Sequence, residues 1–552
     1  MNSYSKIQNR VDAGLKTTNR ELFLVICIGP AIQFYFCANS KGVSVSAIQF
    51  WKYDSLSTGR KYFTADQGPD FTHIENEFND FSVQSLMPNF LSRQGPCIAA
   101  EDINGDGRKD LFIGGAKGQP GRIFIQEING DFAAKSEPAI EKDSASEDVS
   151  AAFFDANGDG FPDLYIASGG YEFKDGDSAL QDRIYFNDGK GNFKKNLQSL
   201  PQLRFSKSCV KFADINGDGA PDIFLGGRVV PGKYPLSPGS RILINDGKGN
   251  FRDATAEICP ALLQLGMVTD ALWIDLNGDH QMDLIVVGEW MPIKVFINNR
   301  GKLEDKSSDF IKFPSSGWWN CIIAEDFDGD GDLDLVIGNM GLNTQFKASE
   351  KEPLSLYYKD FENKGTMDPI LCYYINGISY PAASRDDLTD QLPTLKKKFL
   401  EYNSYADATI HDIFSEDQLK GSGLLKAEMM QTIYLENRGK QGFVLKQLPL
   451  QVQYAPVYAI SVVVANHDGK KDLVLSGNNS WTRIKFGRYR ANHGELLIND
   501  GKGNFTYVPQ AKCGLNIRDD IRSSQIILCG KKIKALFGAN NDRIITYTLN
   551  KN

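Results

Sequence analysis

Short apolar runs alternate with loops rich in Asp and Gly along most of the chain. In five places a run such as CIIAE leads into a nine-residue acidic loop such as DFDGDGDLD, and a second run such as LVIGN follows it. Apolar runs of this length, bounded by Gly and Asp, predict strands rather than helices. A third run, such as RIYFN, often ends in DGKGNF, which predicts a tight turn into a fourth, outer strand.

The acidic loop recurs at the spacing of propeller blades. Five copies superpose without gaps and two weaker copies follow; we number them loop one (102–110), loop two (155–163), loop three (214–222), loop four (275–283), loop five (326–334), loop six (360–368) and loop seven (464–472). Four antiparallel strands repeated at this period predict an all-β fold, the β-propeller. Seven repeats favour seven blades. The tail 523–549 has strand-like runs but no acidic loop, and it makes eight blades the alternative. The same tail could instead complete the first blade.

The repeats assign residues 95–552 to the propeller and leave residues 41–94 as an N-terminal extension. Residues 382–430 break the repeat pattern and predict a small helical insertion within the sixth repeat. Within this insertion Ser384 with Asp387, and Ser415 with Gln418, have the spacing of helix N-caps.

Residues 1–40 contain one strongly apolar stretch, 22–37, which follows two basic residues and precedes small ones. This pattern resembles a secretory signal, and it is short and interrupted for a membrane span. A buried strand, a lipoprotein anchor or a start placed inside a longer protein are the alternatives. Export predicts an extracytoplasmic protein, whether secreted, periplasmic or associated with an outer membrane, with the N-terminus as the only route to membrane attachment.

Charge and cysteine content exclude two classes of site. The formal net charge of -8 argues against nucleic-acid binding, because phosphate recognition needs clustered Lys and Arg. Nine cysteines are scattered with no CxxC spacing, which argues against a zinc cluster or a dense disulfide framework. Cys321 and Cys529 lie in apolar runs, and we expect both to be buried free thiols.

The composition of the acidic loops predicts calcium binding. Positions 1, 3, 5 and 9 carry Asp or Asn, whose oxygens would repel one another without a cation between them. Hard oxygen ligands without His or Cys favour calcium, with magnesium as the less suitable alternative. Gly at position 6 permits the positive φ of a tight loop. The predicted ligands are Asp102, Asn104, Asp106, Asp110, Asp155, Asn157, Asp159, Asp163, Asp214, Asn216, Asp218, Asp222, Asp275, Asn277, Asp279, Asp283, Asp326, Asp328, Asp330 and Asp334.

Three substitutions within the loops change this expectation. His280 replaces Gly at position 6 of loop four, which we expect to distort or weaken that site. Lys364 takes position 5 of loop six, and Val464 takes position 1 of loop seven. We expect loops six and seven to be empty or weak.

The repeats resemble the FG-GAP/VCBS family, the calcium-loop propeller blades also found in integrin α subunits. The DxNxDGxxD loop with its flanking strands carries the resemblance over most of residues 95–510. Longer stretches, such as GWWNCIIAEDFDGDGDLDLVIGNMGLN, resemble exported Bacteroidetes proteins that pair such propellers with an ASPIC/UnbV domain. No ASPIC/UnbV segment is recognisable, so the chain resembles the later propeller of such a protein. The resemblance implies an extracytoplasmic calcium-binding protein and supplies no ligand.

Topology indicates where a ligand would bind. The acidic loop joins strands one and two of a blade, so the connection from strand two to strand three emerges on the opposite face. These connections are rich in aromatic residues and Arg, and scaffolded loops are where recognition usually occurs. The candidate ligand-binding residues are Tyr171, Trp290, Trp481, Arg483, Arg488 and Tyr489.

The sequence therefore predicts a ligand-binding or adhesion module for an extracellular glycan or protein. An enzyme that acts on polysaccharide is one alternative, and a structural subunit of a cell-surface complex is another. We expect no catalysis, because the chain contains no GxSxG elbow, HExxH motif or phosphate-cradling glycine loop. A carboxylate pair in the central channel is the remaining route to an enzyme.

Overall fold

The computed structural model describes residues 61–551, together with the strands Leu24–Ile28 and Ala31–Tyr35. These two strands pair as an antiparallel hairpin within the predicted export segment. The rest of residues 1–60 lies outside the described residues, so the export prediction is not tested there. In the part of the chain that the structure describes, no helix combines the length and apolar character needed to cross a membrane.

Among residues 61–551, seven antiparallel sheets form the blades; six have four strands and one has a short fifth strand. Each loop from one to five joins the first and second strands of its blade. Blade one comprises Ile98–Glu101, Asp110–Ile113, Arg122–Gln126 and Phe132–Lys135; blade two Glu147–Phe154, Asp163–Gly169, Arg183–Asn187 and Phe193–Asn196; blade three Ser206–Ala213, Asp222–Val229, Arg241–Asn245 and Phe251–Asp253; blade four Met267–Ile274, Asp283–Met291, Lys294–Asn298 and Leu303–Asp305, with Gly317–Trp318 added; blade five Cys321–Glu325, Asp334–Gly338, Ile433–Asn437 and Phe443–Lys446; blade six Val457–Val463, Asp472–Gly477, Glu495–Asn499 and Phe505–Tyr507; and blade seven Ile521–Cys529, Lys532–Ala539, Ile545–Leu549 and Phe63–Ala65.

The first strands of these seven sheets contact one another in sequence, and that of blade seven contacts that of blade one. Each neighbouring pair of blades shares a buried apolar cluster, so both faces of every sheet are covered. This arrangement explains why the second strands, such as Asp163–Gly169 and Asp283–Met291, are buried along their whole length. The predicted all-β propeller class is confirmed.

The N-terminal region closes the ring. Phe63–Ala65 pairs with Ile545–Leu549 and supplies the fourth strand of blade seven. The tail therefore neither completes blade one nor stands alone, because its missing strand comes from the region predicted as an extension. Blade seven lacks an acidic loop: a tight turn at Gly530 joins its first two strands.

The prediction that the sixth repeat forms a blade of the ring is wrong. Loop six joins Leu354–Lys359 to Asp368–Ile375 in a separate sheet that also contains Ile378–Pro381 and Gly423–Ala427. This sheet is inserted between the second and third strands of blade five. Ile370 of this sheet packs against the helices of the same insertion, whereas Leu356 packs in a cluster with Trp290 of blade four. The first strands of blades five and six contact each other directly.

Short helices occupy the connections and the insertion. Both predicted N-caps are confirmed: the Ser384 hydroxyl accepts from the Asp387 amide, and that of Ser415 from the Gln418 amide. The α-helices are Pro138–Glu141, Thr255–Ile258, Ser307–Phe310, Arg385–Gln391, Ile410–Ile413, Glu416–Leu419 and Gln510–Cys513. The 3-10 helices are Asp80–Ser82, Ser178–Leu180, Pro260–Gln264, Pro393–Lys397, Tyr402–Ser404, Gly439–Gln441, Leu450–Gln453 and Ile484–Phe486.

Candidate functional site

The acidic loops share one network of hydrogen bonds. In loop three, Asp214 at position 1 accepts from the amides of Gly217 at 2.7 Å and Gly219 at 2.9 Å. Asp218 at position 5 donates its amide to Asn216 and accepts from the amide of Ala220, each at 2.9 Å. The position 1, 3 and 5 side chains are thereby turned toward one another by the backbone of their own loop.

The position 9 carboxylate is buried and anchors each loop to its blade. Asp163 accepts from the Asn187 amide of the third strand at 2.8 Å and from the Ala156 amide of its own loop at 3.1 Å. Burial, together with the nearby carboxylates of Asp159 and Asp155, raises the pKa of Asp163 to about 7. A cation held between these carboxylates would offset both effects.

Loop five brings three carboxylates closest together. Ligand atoms of Asp326, Asp328 and Asp334 all lie within 4.8 Å of one another. Burial, followed by the charge of Asp334, raises the pKa of Asp328 to about 6. In loops two, three and four the position 3 residue is Asn, whose amide donates to the position 5 carboxylate. The Asp328 side chain is a carboxylate and has no amide to donate to position 5. The oxygen ligands and the geometry of loop five therefore suit a divalent cation.

His280 does not disrupt loop four, contrary to the expected distortion. It adopts φ of 65°, and its amide donates to Asp275 at 2.8 Å, as the glycine amide does in the other loops. An L-residue in this left-handed region costs about 1–2 kcal/mol. The loop therefore keeps its shape at a cost in backbone strain.

Replacing His280 with glycine is expected to stabilise the protein by about 0.5–1 kcal/mol, because relief of the left-handed strain exceeds the added freedom of the unfolded chain. Gly219→His is the matched control, since Gly219 has φ of 86° at the same position of loop three and open space around it. Gly219→His should lower the free energy of unfolding by a similar amount. Urea denaturation with calcium measures both, and a destabilised His280→Gly variant would show that the histidine side chain supports the loop.

Loops six and seven fold like the others but lack part of the donor set. In loop six the Lys364 ammonium at position 5 pairs with Glu362 at position 3 of the same loop and donates to the Gln391 carbonyl. In loop seven Val464 leaves position 1 without an acceptor, and Asp468 pairs with Lys470 at 3.8 Å. This geometry favours the expectation that both loops are empty or weak, which stays a prediction.

An asparagine at the end of the third strand ties each of several loops to the next blade. Asn187 of blade two donates its side-chain amide to the carbonyl of Ile103 in loop one at 2.8 Å. Blades three, four and six repeat this bond with Asn245, Asn298 and Asn499, which donate to the preceding loops two, three and five. The acidic loops therefore belong to the contacts between blades.

An N-terminal segment, residues 78–94, lies against the face opposite the acidic loops. Asp80 closes the segment on itself by accepting from the Leu91 and Ser92 amides. Gln84 exchanges hydrogen bonds with the backbone of Tyr234 in the connection of blade three. Phe90 donates its amide to the Trp481 carbonyl of blade six at 2.8 Å. The face predicted to bind a ligand is thus partly covered by the chain itself.

A cavity of about 160 Å³ remains beside this segment, at the mouth of the central channel. We call it the mouth cavity. Six blades contribute to its walls, because the first strand of each blade begins on this face and ends on the other face, where the acidic loops lie. The wall residues from these blades include Val149, Ser208, Thr269, Asn320, Tyr458 and Arg522. Arg93 and Thr482 complete the rim from the N-terminal segment and the connection of blade six.

Four of the six candidate ligand residues are buried, and Tyr171 and Trp290 among them offer no surface to a ligand. Tyr171 is 1% exposed, and its hydroxyl donates to the Gln84 side chain. Trp290 is 4% exposed, donates to the Tyr234 hydroxyl at 2.7 Å and packs edge-on against Trp318. Both belong to the apolar cluster that lies under this face.

The other four lie around the connection of blade six. Trp481 stacks on Phe90, and Arg483 pairs with Asp387 of the insertion at 2.6 Å, so both hold neighbouring segments in place. Arg488 is exposed beside an open groove. Tyr489 lines both that groove and the mouth cavity.

The prediction from sequence missed the polar residues nearest the channel axis. Arg93, Arg228, Trp318 and Asn320 all line the mouth cavity. Trp318 and Asn320 come from the segment GWWN that directly precedes the first strand of blade five. Their position just before a first strand could have identified them as cavity residues, because the first strands all begin near the channel axis on this face.

A buried polar cluster lies behind Arg93. Glu75 pairs with Arg93 at 3.2 Å, and ligand atoms of His73, Glu75 and Glu147 lie within 4.8 Å of one another. Burial lowers the pKa of His73 to about 3, so the ring is neutral. Its Nδ1 accepts from the Asn541 amide at 3.3 Å, which places the ring proton on Nε2. Nε2 is then a donor and not a metal ligand, and the cluster serves to position Arg93.

Sequence comparison identifies FG-GAP-like repeats at residues 102–166 and 275–337. The chain is also 27% identical over 218 residues to integrin alpha-4 of Xenopus laevis, a match that covers 33% of this chain and 20% of that protein. The match thus spans well under two thirds of that relative. The resemblance to ASPIC/UnbV-associated proteins stays a prediction.

Among solved structures, BBS1N in complex with ARL6DN aligns with a TM-score of 0.41 and 10% identity, over 89% of this chain and 98% of that one. The V. cholerae biofilm matrix protein Bap1 aligns with a TM-score of 0.32 and 11% identity, over 89% and 91%. Saccharomyces cerevisiae Sqt1 aligns with a TM-score of 0.39 and 9% identity, over 85% and 98%. At these scores the alignments carry no argument about function.

Proposed function

Because this chain is a β-propeller with FG-GAP-like repeats, we propose that it is an extracytoplasmic, calcium-stabilised module that binds its ligand at the mouth cavity. The observation that carries the proposal is the position of this cavity. Six blades and the N-terminal segment build its walls, so it exists only when the ring is closed. Binding sites are typically concave and largely preformed, with a few polar groups placed by a rigid scaffold.

The lining of the mouth cavity supports binding rather than catalysis. Among the described residues that line it, Glu289 is the one carboxylate, and no histidine is present. Both Glu289 oxygens are engaged, one by the Arg228 guanidinium and the other by the Tyr234 hydroxyl. Hydrolysis of a glycosidic bond generally uses two carboxyl groups that flank the bond. The cavity therefore lacks the pair that a polysaccharide-acting enzyme would use.

Calcium in this proposal is structural. Loops one to five would hold it through their Asp and Asn oxygens at positions 1, 3, 5 and 9, with loop five the most convergent. The ions would neutralise the loop carboxylates and fix the backbone carbonyls that accept from the next blade. Oxygen-ligand sites of extracellular modules bind calcium in the range of about 10⁻⁴–10⁻³ M, which fits an extracytoplasmic location.

The likeness to an integrin α subunit supports a cell-surface or extracellular protein. The ligand in this proposal is a glycan or another protein. A structural subunit of a surface complex is the second candidate. It would use the outer edges of the blades, whereas a ligand-binding module would use the mouth cavity.

Blocking the mouth cavity tests the proposal. Thr482 lines the cavity and is half-buried, so Thr482→Trp should fill the entrance. Thr506 is exposed on the outer strand of the same blade, and Thr506→Trp is the matched control. We expect calcium-loaded protein to bind members of a glycan array, Thr482→Trp to lose that binding at least tenfold, and Thr506→Trp to retain it.

Melting temperatures of both variants verify that they fold. Binding that survives Thr482→Trp and is lost in Thr506→Trp would place recognition at the blade edge and favour the structural-subunit alternative. The absence of any array binding by the folded wild type would contradict the glycan form of the proposal, and the same two variants would then be compared on immobilised extracellular proteins.

A further inference from the structure

Four buried nitrogen atoms on residues that line the mouth cavity have neither a hydrogen-bond partner nor an ion-pair partner in the described part of the chain. They are Arg93 Nε, Arg228 Nη1, Trp318 Nε1 and Asn320 Nδ2. Arg93 and Arg228 are each 8% exposed, and Trp318 is 6% exposed. Buried donors are almost always satisfied in folded proteins, because an unmet donor costs about 1–3 kcal/mol. Four such donors on residues that line one cavity favour a ligand that accepts hydrogen bonds.

We propose that the mouth cavity binds a carboxylate carried on a single sugar ring, as in a hexuronic acid. The inference rests on the proposed binding function and names its ligand class.

The balance of donors and acceptors selects a carboxylate. No buried side-chain oxygen is left unpartnered among the described residues that line the cavity, so all unmet groups are donors. An ionised carboxylate is acceptor-only and offers about four lone-pair sites. Hydrogen bonds from charged donors to such a group are shorter and stronger than neutral ones.

The charges around the cavity agree with this selection. Arg93, Arg228 and Arg522 line it, against the single acid Glu289. The arginines are held by acidic partners: Arg93 by Glu75 at 3.2 Å, Arg228 by Glu289, and Arg522 by Asp520 at 3.9 Å. Their guanidinium groups are therefore preorganised, which lowers the entropic cost of recognition.

The remaining walls suit a single sugar ring. Aromatic residues supply flat apolar surfaces, and amide and hydroxyl groups lie between them; the wall residues include Trp318, Phe346, Phe486, Tyr489, Asn479 and Thr482. The volume of about 160 Å³ lies below that of pockets for drug-sized ligands, about 300–1,000 Å³, so the cavity has room for one ring rather than an oligomer. A longer glycan would present its terminal residue here.

Isothermal titration calorimetry with D-glucuronate and D-galacturonate tests the inference, with D-glucose and D-galactose as neutral counterparts and L-glutamate as an acidic side-chain analogue. The calcium-loaded full chain is used. We expect at least one uronate to bind, its neutral counterpart to bind at least tenfold more weakly, and uronate affinity to fall as sodium chloride is raised.

Trp318→Phe removes one unmet donor and keeps an aromatic wall. It should weaken uronate binding about tenfold, because the lost bond is made to a charged group. Trp273→Phe is the matched control: Trp273 Nε1 is also buried without a partner, but Trp273 does not line the cavity. This variant should bind the uronate like the wild type.

Three outcomes would overturn the inference. Equal binding of uronates and neutral sugars would contradict the role of the donors while leaving the binding function in place. Tighter binding of glutamate would indicate an acidic peptide. Failure of both uronates to bind would exclude the sugar acid, and if Thr482→Trp still blocked glycan-array binding, the proposed function would stand without it.

Discussion

Chelating calcium is expected to lower the melting temperature by about 10 °C or more. A ligand that binds only the folded state stabilises it by about 2.7 kcal/mol per site at a hundredfold excess over the dissociation constant, and five loops carry the donor set. Without the ion, the carboxylates of Asp326, Asp328 and Asp334 face one another within 4.8 Å. The loops also accept hydrogen bonds from the next blade, so loosening a loop weakens the contact between blades.

Differential scanning calorimetry measures this effect with EDTA, with excess calcium and with excess magnesium. Calcium should restore the melting temperature in a saturable manner. Magnesium should be markedly poorer, because it demands octahedral geometry and dehydrates reluctantly. A melting temperature that does not respond to EDTA would contradict a structural role for the ion.

Phe63→Ala is expected to destabilise the protein by about 3–5 kcal/mol, the usual cost of removing a buried Phe side chain. Phe63 is 1% exposed and packs in the cluster between blades six and seven with Leu515, Phe537 and Tyr547. Its strand, Phe63–Ala65, closes the ring by pairing with Ile545–Leu549. The cost is set by the lost packing and by an exposed strand edge in blade seven.

Thr64→Ala is the control for this prediction, because Thr64 lies on the same strand and is exposed. Its stability should stay within about 0.5 kcal/mol of the wild type. Urea denaturation of both variants gives the comparison. A loss below about 1 kcal/mol for Phe63→Ala would mean that the ring stays closed without this strand.

Local features of the fold could be predicted from the sequence. The apolar runs and acidic loops define the strands of blades one to six, because strand length and turn chemistry are local properties. The N-caps at Ser384 and Ser415 could be predicted for the same reason, since each depends on residues three apart. The buried free thiols of Cys321 and Cys529 follow from their apolar neighbours.

Features that depend on distant pairing could not be predicted. Loop six has the local pattern of a blade, yet its sheet packs between the helices of the insertion and the apolar cluster under the face opposite the acidic loops. Phe63–Ala65 pairs with residues almost the whole chain away, and no local signal marks this partner. The mouth cavity likewise gathers Arg93, Arg228 and Trp318 from separate segments. Trp290 is a candidate ligand residue by its place in an aromatic-rich connection, but it is buried. The sequence of a connection does not tell whether an aromatic side chain packs in the core or is exposed.

The stoichiometry of bound calcium tests the central claim most directly. Inductively coupled plasma mass spectrometry after dialysis against calcium should give five ions per chain, one for each of loops one to five. Asp330→Ala should reduce the count to four, because it removes a charged ligand from loop five. Asp468→Ala, in loop seven where Val464 replaces the first ligand, should leave it at five. A wild-type count of zero, or equal losses from the two variants, would contradict the assignment of calcium to these loops.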